Sequence, residues 1–129
     1  MTETNQDISY LLPGFDLSEI MPLLDGDYSQ LQNIFVMFQE DFSDVADHIS
    51  EKLNAGEIVD AEHQLHQMKG VAGNIGAIKL YDVSQALDIQ LKQGFYDHKL
   101  WDEWKVVFSE TLQIISNFIV VYDEKKLSN

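Results

Sequence analysis

Apolar residues recur at intervals of three and four along much of this chain, which is the spacing of one face of an α-helix. The longest such pattern begins after Gly26-Asp27 and ends before Asn54-Ala55-Gly56, so it predicts one continuous helix. Asp27 is expected to cap its first turn. Its apolar positions are Leu31, Ile34, Phe35, Phe38, Phe42, Val45, Ile49 and Leu53.

Three further amphipathic helices are expected after this one. The first contains His66 and breaks near Gly76-Ala77, the next ends at Gly94, and Asp97 caps the last. Their apolar faces are assigned to the core, and the strand-like string Ile119-Val120-Val121 is assigned to the buried end of the last helix. The apolar positions of the last two helices are Leu80, Val83, Leu87 and Leu91, then Leu100, Trp101, Trp104, Phe108, Leu112, Ile115 and Ile119.

Shorter elements precede the long helices. Leu11-Leu12-Pro13-Gly14 predicts a turn, and Asp16-Leu17-Ser18-Glu19 has the spacing of a capping box before a short helix that Pro22 interrupts. Four long amphipathic helices with short connections predict an all-α fold, an antiparallel up-and-down four-helix bundle with an additional short N-terminal helix. We expect a flexible N-terminal tail or linker over residues 1–10, one domain over residues 11–125 and a C-terminal tail over residues 126–129.

Composition narrows the classes of protein. A net charge of −14, with only eight Lys and Arg residues, argues against binding to nucleic acid or to anionic membranes. The absence of cysteine excludes disulfides, thiolate catalysis and cysteine-based metal sites. No apolar run approaches the ~18 residues of a membrane span and no signal-peptide pattern is present, so we expect a cytoplasmic protein without direct membrane insertion. No nucleotide-binding motif is found, which predicts no autonomous kinase activity.

The helix around His66 has an unusual polar side. With about 100° of turn per residue, its core-facing stripe consists of Ala61, Leu65, Met68, Ala72 and Ile75. His66, Lys69, Gly70 and Gly73 share another arc, centred about 120° from that stripe, and are expected to face solvent. A glycine inside a helix costs roughly 0.8–1 kcal/mol relative to alanine. The two glycines therefore indicate a surface kept free of side chains so that a partner can approach the histidine.

The string Leu65-His66-Gln67-Met68-Lys69-Gly70, followed by Gly73-Asn74-Ile75-Gly76-Ala77 and Leu80, resembles the active helix of histidine-containing phosphotransfer (HPt) domains. The chain is similar over most of residues 11–120 to the C-terminal HPt modules of hybrid sensor histidine kinases in bacterial two-component phosphorelays. Two departures are Leu65, where many members have alanine, and Asp88, where glutamate is common. Neither is expected to touch the chemistry. The other similar parts are Leu12-Pro13-Gly14-Phe15-Asp16, the Gly26-Asp27 turn, the phenylalanine-rich helix and the helix from Leu80 to Leu87-Asp88.

The resemblance implies a phosphocarrier with a phosphorylated histidine. His66 would accept a phosphoryl group from a receiver-domain aspartate and pass it to an aspartate of another receiver, while Lys69 would counter the phosphoryl charge and Gly70 and Gly73 would admit the partner. The implied partners are response-regulator receiver domains and a hybrid sensor kinase. The carrier is expected to be a monomer without a cofactor of its own, and Mg²⁺ is expected on the receiver.

Docking poses a question of charge, because receiver active sites are acidic and this chain is acidic too. Lys69 is the only cation expected near His66, with Glu62 one turn behind it. Docking is therefore expected to depend on apolar contacts, including exposed side chains of the short first helix.

Other interpretations stay open beside this one. A helical docking module could bind receivers without being phosphorylated, although the histidine at position 66 weighs against it. A bundle metal site is disfavoured, because His63 and His66 could share an ion but no second set of helical ligands is found, and we therefore expect no metal ligands. His48 and His98 are interpreted as ordinary surface histidines. The sequence does not decide between a free-standing protein and part of a kinase.

Overall fold

The computed structural model describes residues 8–127, and these residues are almost entirely helical. A 3₁₀ turn, Ser9–Leu11, comes first. Apart from one isolated bridge between Phe15 and Ala77, the described residues contain no strand pairing. The helices are α1 (Ile20–Leu23), α2 (Tyr28–Phe42), α3 (Val45–Asn54), α4 (Ile58–Asn74), α5 (Ile78–Lys92) and α6 (His98–Leu127).

The long helices form a four-helix bundle with the short α1 as an addition. Each long helix packs against its neighbour in the order α3, α4, α5 and α6, and α6 closes the ring by packing against α2. Helices α2 and α3 together make one side of the bundle, so the predicted all-α bundle is confirmed. Its centre contains the fully buried side chains of Leu31, Phe35, Phe38, Ile49, Leu65, Met68, Leu80, Leu87, Trp104, Ile115 and Phe118.

The prediction of one continuous helix between Asp27 and Asn54 is wrong at one point. The helix is divided at Ser43-Asp44, where Asp44 has φ −96° and ψ 2° and its carbonyl oxygen accepts the first hydrogen bond of α3 from His48 N–H. Serine and aspartate compete with the backbone for hydrogen bonds and so weaken a helix interior. The division lets α2 pack against α6 while α3 packs against α4.

Helix starts follow the predicted capping in two of three places. Asp27 Oδ1 accepts a hydrogen bond from Ser29 N–H at 2.8 Å, and Asp97 Oδ1 accepts one from Lys99 N–H at 2.9 Å. Asp16 Oδ1 accepts a hydrogen bond from Ser18 N–H. Ser18 is not part of a helix, because α1 begins later, at Ile20. The expected capping box is therefore a local turn.

The turn between α4 and α5 holds the N-terminal segment against the bundle. Gly76 has a φ of +81°, and its carbonyl oxygen accepts a hydrogen bond from Asp16 N–H at 2.8 Å. A Cβ atom at position 76 would lie 2.0 Å from the carbonyl oxygen of Asp16. The close approach and the left-handed backbone both require glycine here. The ring of Phe15 packs edge-on against Phe35 and completes this attachment.

Ordered structure extends beyond the predicted domain limits at both ends. Ile8 is buried in the core and the 3₁₀ turn follows it, while α6 continues to Leu127. The remaining parts of the predicted tails, residues 1–7 and 128–129, lie outside the described residues.

Helix α6 is long and apolar enough, over His98–Lys126, to cross a membrane by length and composition alone. The expectation that no segment of the chain reaches this length is therefore wrong for α6. Its apolar residues include Trp104, Phe108 and Phe118, which are buried in the bundle. A helix that packs one face into a protein core can meet the same criterion.

Candidate functional site

His66 lies near the middle of α4 on the outer surface of the bundle. Its side chain is 56% exposed, whereas Leu65 and Met68 on either side of it are fully buried. This difference follows from the helical spacing of the apolar stripe. The prediction that the imidazole is accessible is confirmed.

The second member of the site is Asp88 of α5, which packs alongside α4. Asp88 is almost completely buried, and its Oδ2 lies 3.2 Å from Nδ1 of His66. Position 88, which was expected not to touch the chemistry, is in direct contact with the histidine. A buried carboxylate at Nδ1 favours the tautomer in which this nitrogen carries the proton, which leaves Nε2 with its lone pair free.

Lys69 occupies a different place from the one predicted. Its side chain is only 11% exposed, and Nζ donates hydrogen bonds to Asp88 Oδ2 at 2.8 Å and to Gln85 Oε1 at 2.7 Å. Position 69 points towards α5. This helix covers a part of the α4 surface that a helical wheel of α4 alone shows as exposed. Lys69 therefore neutralises the carboxylate beside His66 from within the interface of two helices.

Glu62 and Lys92 complete a charged cluster around the histidine. Glu62 is buried one turn before His66, with Oε2 3.7 Å from the histidine Nδ1. Lys92 is half exposed at the end of α5, where Nζ lies 3.3 Å from Asp88 Oδ2 and 3.9 Å from Glu62 Oε2. Lys69 is thus not the only cation near His66, because α5 contributes a second one. We call Glu62, His66, Lys69, Asp88 and Lys92 the His66 cluster.

The two carboxyl groups of the cluster have pKa values that are displaced in opposite directions. A hydrogen bond with Asp88 raises the pKa of Glu62 above its ordinary value, and burial and the charge of Asp88 add to this. Burial by itself raises the pKa of Asp88, but hydrogen bonds with Glu62, Lys69 and His66 outweigh it and hold this pKa below the ordinary range. Of the two carboxyl groups, Asp88 beside the histidine is therefore the one that gives up its proton more readily.

The two glycines of the predicted access surface have different surroundings. Among residues 8–127, a Cβ atom on Gly70 would have no neighbour within 4 Å, so the helix surface beside His66 is open there. A Cβ atom on Gly73 would lie 3.0 Å from the ring of Tyr81. Gly73 therefore allows α4 and α5 to approach each other at Tyr81, and its role in partner access stays a prediction.

A shallow surface depression lies over the histidine. Glu62, His63, His66, Gln67 and Lys92 line it. His63 is largely exposed, and its Nε2 lies 3.9 Å from Glu62 Oε1. A larger concavity of about 720 Å³, between the N-terminal segment, α5 and α6, contains none of the His66 cluster.

Sequence reasoning placed Glu62 one turn behind His66 but missed Asp88 and Lys92 as neighbours of the histidine. Glu62 has a detectable signal, since it stands four residues before His66 on the same helix and such pairs are surface neighbours. Asp88 and Lys92 stand on another helix, and their partnership depends on how α4 and α5 align. Spacing along one helix carries no information about this alignment.

Comparison with known protein families matches residues 33–113 to the Hpt domain. The matched part is more than half of the chain and contains α3, α4 and α5 complete, together with every residue of the His66 cluster. Comparisons with curated proteins and with solved structures find no match.

Proposed function

Because this chain belongs to the Hpt domain family and so has a role in phosphotransfer within phosphorelays, we propose that His66 is its phosphoryl acceptor. The observation that carries the proposal is the half-exposed imidazole whose Nδ1 lies 3.2 Å from the buried carboxylate of Asp88. His66 accepts the group from a receiver-domain aspartate and passes it to an aspartate of another receiver.

The chemistry follows from the two nitrogens of the ring. Nδ1 carries its proton towards Asp88, so Nε2 presents a lone pair on the exposed side of α4. Attack by Nε2 on phosphorus forms the N–P bond as the bond from phosphorus to the receiver aspartate oxygen breaks, and the aspartate leaves as a carboxylate. The ring gains positive charge in this step, and the charge of Asp88 beside Nδ1 stabilises it.

The residues beside His66 have separate duties in this proposal. Lys69 holds Asp88 in place by a 2.8 Å contact and reduces the net negative charge that an incoming phosphoryl group meets. It acts on the phosphoryl group through Asp88. Gly70 leaves the adjoining surface open to the loops of a receiver. Mg²⁺ belongs to the receiver, and the carrier supplies a positioned nucleophile without a cofactor of its own.

Receiver domains and a hybrid sensor kinase are the proposed partners, with a monomeric carrier acting in the cytoplasm. Exposed apolar side chains support docking despite the acidity of the chain. Val59 stands two turns before His66, Ile89 follows Asp88, and Phe95 follows α5, all at least half exposed. Leu23 of α1 is 82% exposed and offers the apolar contact expected from the short first helix.

The test is transfer from a panel of phosphorylated receivers. The wild-type chain is expected to gain acid-labile, base-stable phosphate, which is the stability of a phosphohistidine. His66→Gln should reduce labelling at least ~10³-fold by removal of the nucleophile, with an unchanged helical circular dichroism spectrum because the side chain lies at the surface.

His63→Gln is the matched control, since it removes an exposed imidazole three residues away on the same helix. It should remain labelled. Labelling that persists in His66→Gln and disappears in His63→Gln would overturn the assignment. Receiver binding without labelling would instead support a docking module.

A further inference from the structure

The His66 cluster brings three metal-ligating atoms together from two helices. One atom each from Glu62, His66 and Asp88 lie within 4.8 Å of one another. The His66 Nδ1 atom is 3.2 Å from Asp88 Oδ2 and 3.7 Å from Glu62 Oε2. Two neighbouring ligands that both lie ~2.0–2.1 Å from one cation in tetrahedral or octahedral geometry are separated by ~2.8–3.4 Å. The ligand separations already come close to this range.

We propose that Glu62, His66 and Asp88 form a binding site for a first-row transition divalent cation of the Zn²⁺ type. One imidazole nitrogen with two carboxylates suits Zn²⁺, whereas Mg²⁺ prefers a site made of oxygen atoms. His63 lines the same depression and can supply a further nitrogen ligand. The expectation of no metal ligands rested on the search along single helices, which could not include Asp88.

A second observation at Asp88 supports this site independently of the ligand spacing. Its Oδ1 atom is buried and accepts no hydrogen bond among the residues that the structure describes. Such an atom is uncommon in folded proteins and retains lone pairs that a cation can use. All the contacts of the carboxylate with His66, Lys69 and Lys92 are made through Oδ2, and its other hydrogen-bond partner, Glu62, is itself one of the three proposed ligands.

The two lysines differ in how readily they make way for a cation. Lys92 is half exposed and makes only long contacts, at 3.3 Å to Asp88 and 3.9 Å to Glu62. Lys69 is held also by Gln85 at 2.7 Å and so keeps a partner when Asp88 binds a metal. Entry of the cation therefore requires the displacement of Lys92 into solvent.

Metal binding and phosphorylation exclude each other at this histidine, a consequence that rests on the proposed function. The cation takes the lone pair of Nδ1, and the proton of the neutral ring moves from Nδ1 to Nε2. Nε2 then has a proton in place of its free lone pair and cannot attack phosphorus. The site makes phosphoryl uptake sensitive to transition metal.

Calorimetric titration of the full chain with Zn²⁺ tests the site without any phosphotransfer. We expect one strong site, at least tenfold weaker in each of His66→Gln, Glu62→Gln and Asp88→Asn. His98→Gln is the matched control and should bind as the wild type does. Binding that survives His66→Gln, or Mg²⁺ bound as tightly as Zn²⁺, would overturn the proposal.

The competing lysine gives a test in the opposite direction. Lys92→Met removes a cation next to two carboxylates and should raise Zn²⁺ affinity by at least threefold through reduced repulsion. Lys105→Met makes the same change on α6 and should leave the affinity unchanged. Equal affinities in Lys92→Met and the wild type would contradict the displacement of Lys92.

Inhibition is then measured as the rate of phosphoryl uptake with and without Zn²⁺, each variant being compared with its own metal-free rate. Wild type should be inhibited, Lys92→Met inhibited at lower Zn²⁺, and Glu62→Gln inhibited only at higher Zn²⁺. Equal sensitivity of all three would place the effect on the receiver and overturn the regulatory link. If His66 never becomes labelled while Zn²⁺ still binds it, the proposed function fails and the metal site stands.

Discussion

Helices α4 and α5 differ in their contacts between the turn that joins them, at Gly76, and the region around His66. At the Gly76 turn, backbone hydrogen bonding and apolar contact fix the N-terminal segment, and glycine is needed because there is no space for a side chain. At the level of His66, charges meet between the helices, and Gly70 next to them has open space. The two glycines of this motif therefore differ, because the fold requires glycine at position 76, whereas the glycine at position 70 leaves the surface beside His66 open.

The largest stability effect is expected at the turn. Gly76→Ala combines a left-handed backbone, costing ~1–2 kcal/mol for an ordinary residue, with a steric conflict of ~1–3 kcal/mol against Asp16. The free energy of unfolding should fall by about 2–5 kcal/mol in urea denaturation.

Gly56→Ala is the control for that experiment. Gly56 also has a positive φ, of +75°, but its Cβ position has no neighbour within 4 Å. Gly56→Ala should lower the free energy of unfolding only by the cost of the left-handed backbone, about 1–2 kcal/mol. Equal losses in the two variants would show that the approach of Asp16 to Gly76 is unimportant.

An intermediate effect is expected in the His66 cluster. Asp88→Asn leaves the buried Lys69 without its anion and should cost about 2–4 kcal/mol of stability. It should also change the tautomer of His66, because an amide does not hold the Nδ1 proton as a carboxylate does. Nitrogen-15 NMR of the imidazole measures this change, which loss of packing alone would not produce.

Asp82→Asn is the matched control, since it makes the same chemical change at an exposed position of α5. Its stability should stay within ~0.5 kcal/mol of wild type. If Asp88→Asn behaves in the same way and the His66 tautomer is unchanged, the contact at 3.2 Å has no energetic role.

The smallest stability effects are expected at Gly70, and they are opposite in sign to that at Gly76. Gly70→Ala should raise stability by about 0.8–1 kcal/mol through helix propensity. Gly70→Gln should also stabilise the helix, yet slow phosphoryl transfer about tenfold by disturbing the alignment of the partner. Stopped-flow transfer kinetics would refute the access role if glutamine and alanine at position 70 gave the same rate as glycine.

Which structural features could be predicted from the sequence depends on whether they arise within one segment or between two. Helix positions, the Gly76 break and the exposure of His66 were predictable, because each depends on the spacing of apolar residues along one segment. The division at Ser43-Asp44 was not, because the apolar period continues through it. It reflects the different packing partners of α2 and α3.

The site was predictable only in its centre. Lys69 was expected at the surface because it lies away from the apolar stripe on a helical wheel of α4. In the folded bundle that side of α4 faces α5. The pairing of His66 with Asp88, and the contacts of Lys69 and Gly73 with α5, depend on the alignment of two helices. A helical wheel of a single helix contains no information about this alignment.

His66 and Asp88 are separated by only 22 positions in the chain, and the proposed phosphoryl acceptor and its charged neighbours all belong to one helical hairpin. Closing so short a loop costs little entropy, and contacts of this local kind favour rapid folding. We therefore expect the hairpin to assemble early in folding and its amide hydrogens to exchange slowly, so that the chemistry keeps its geometry while the ends of the outer helices fray.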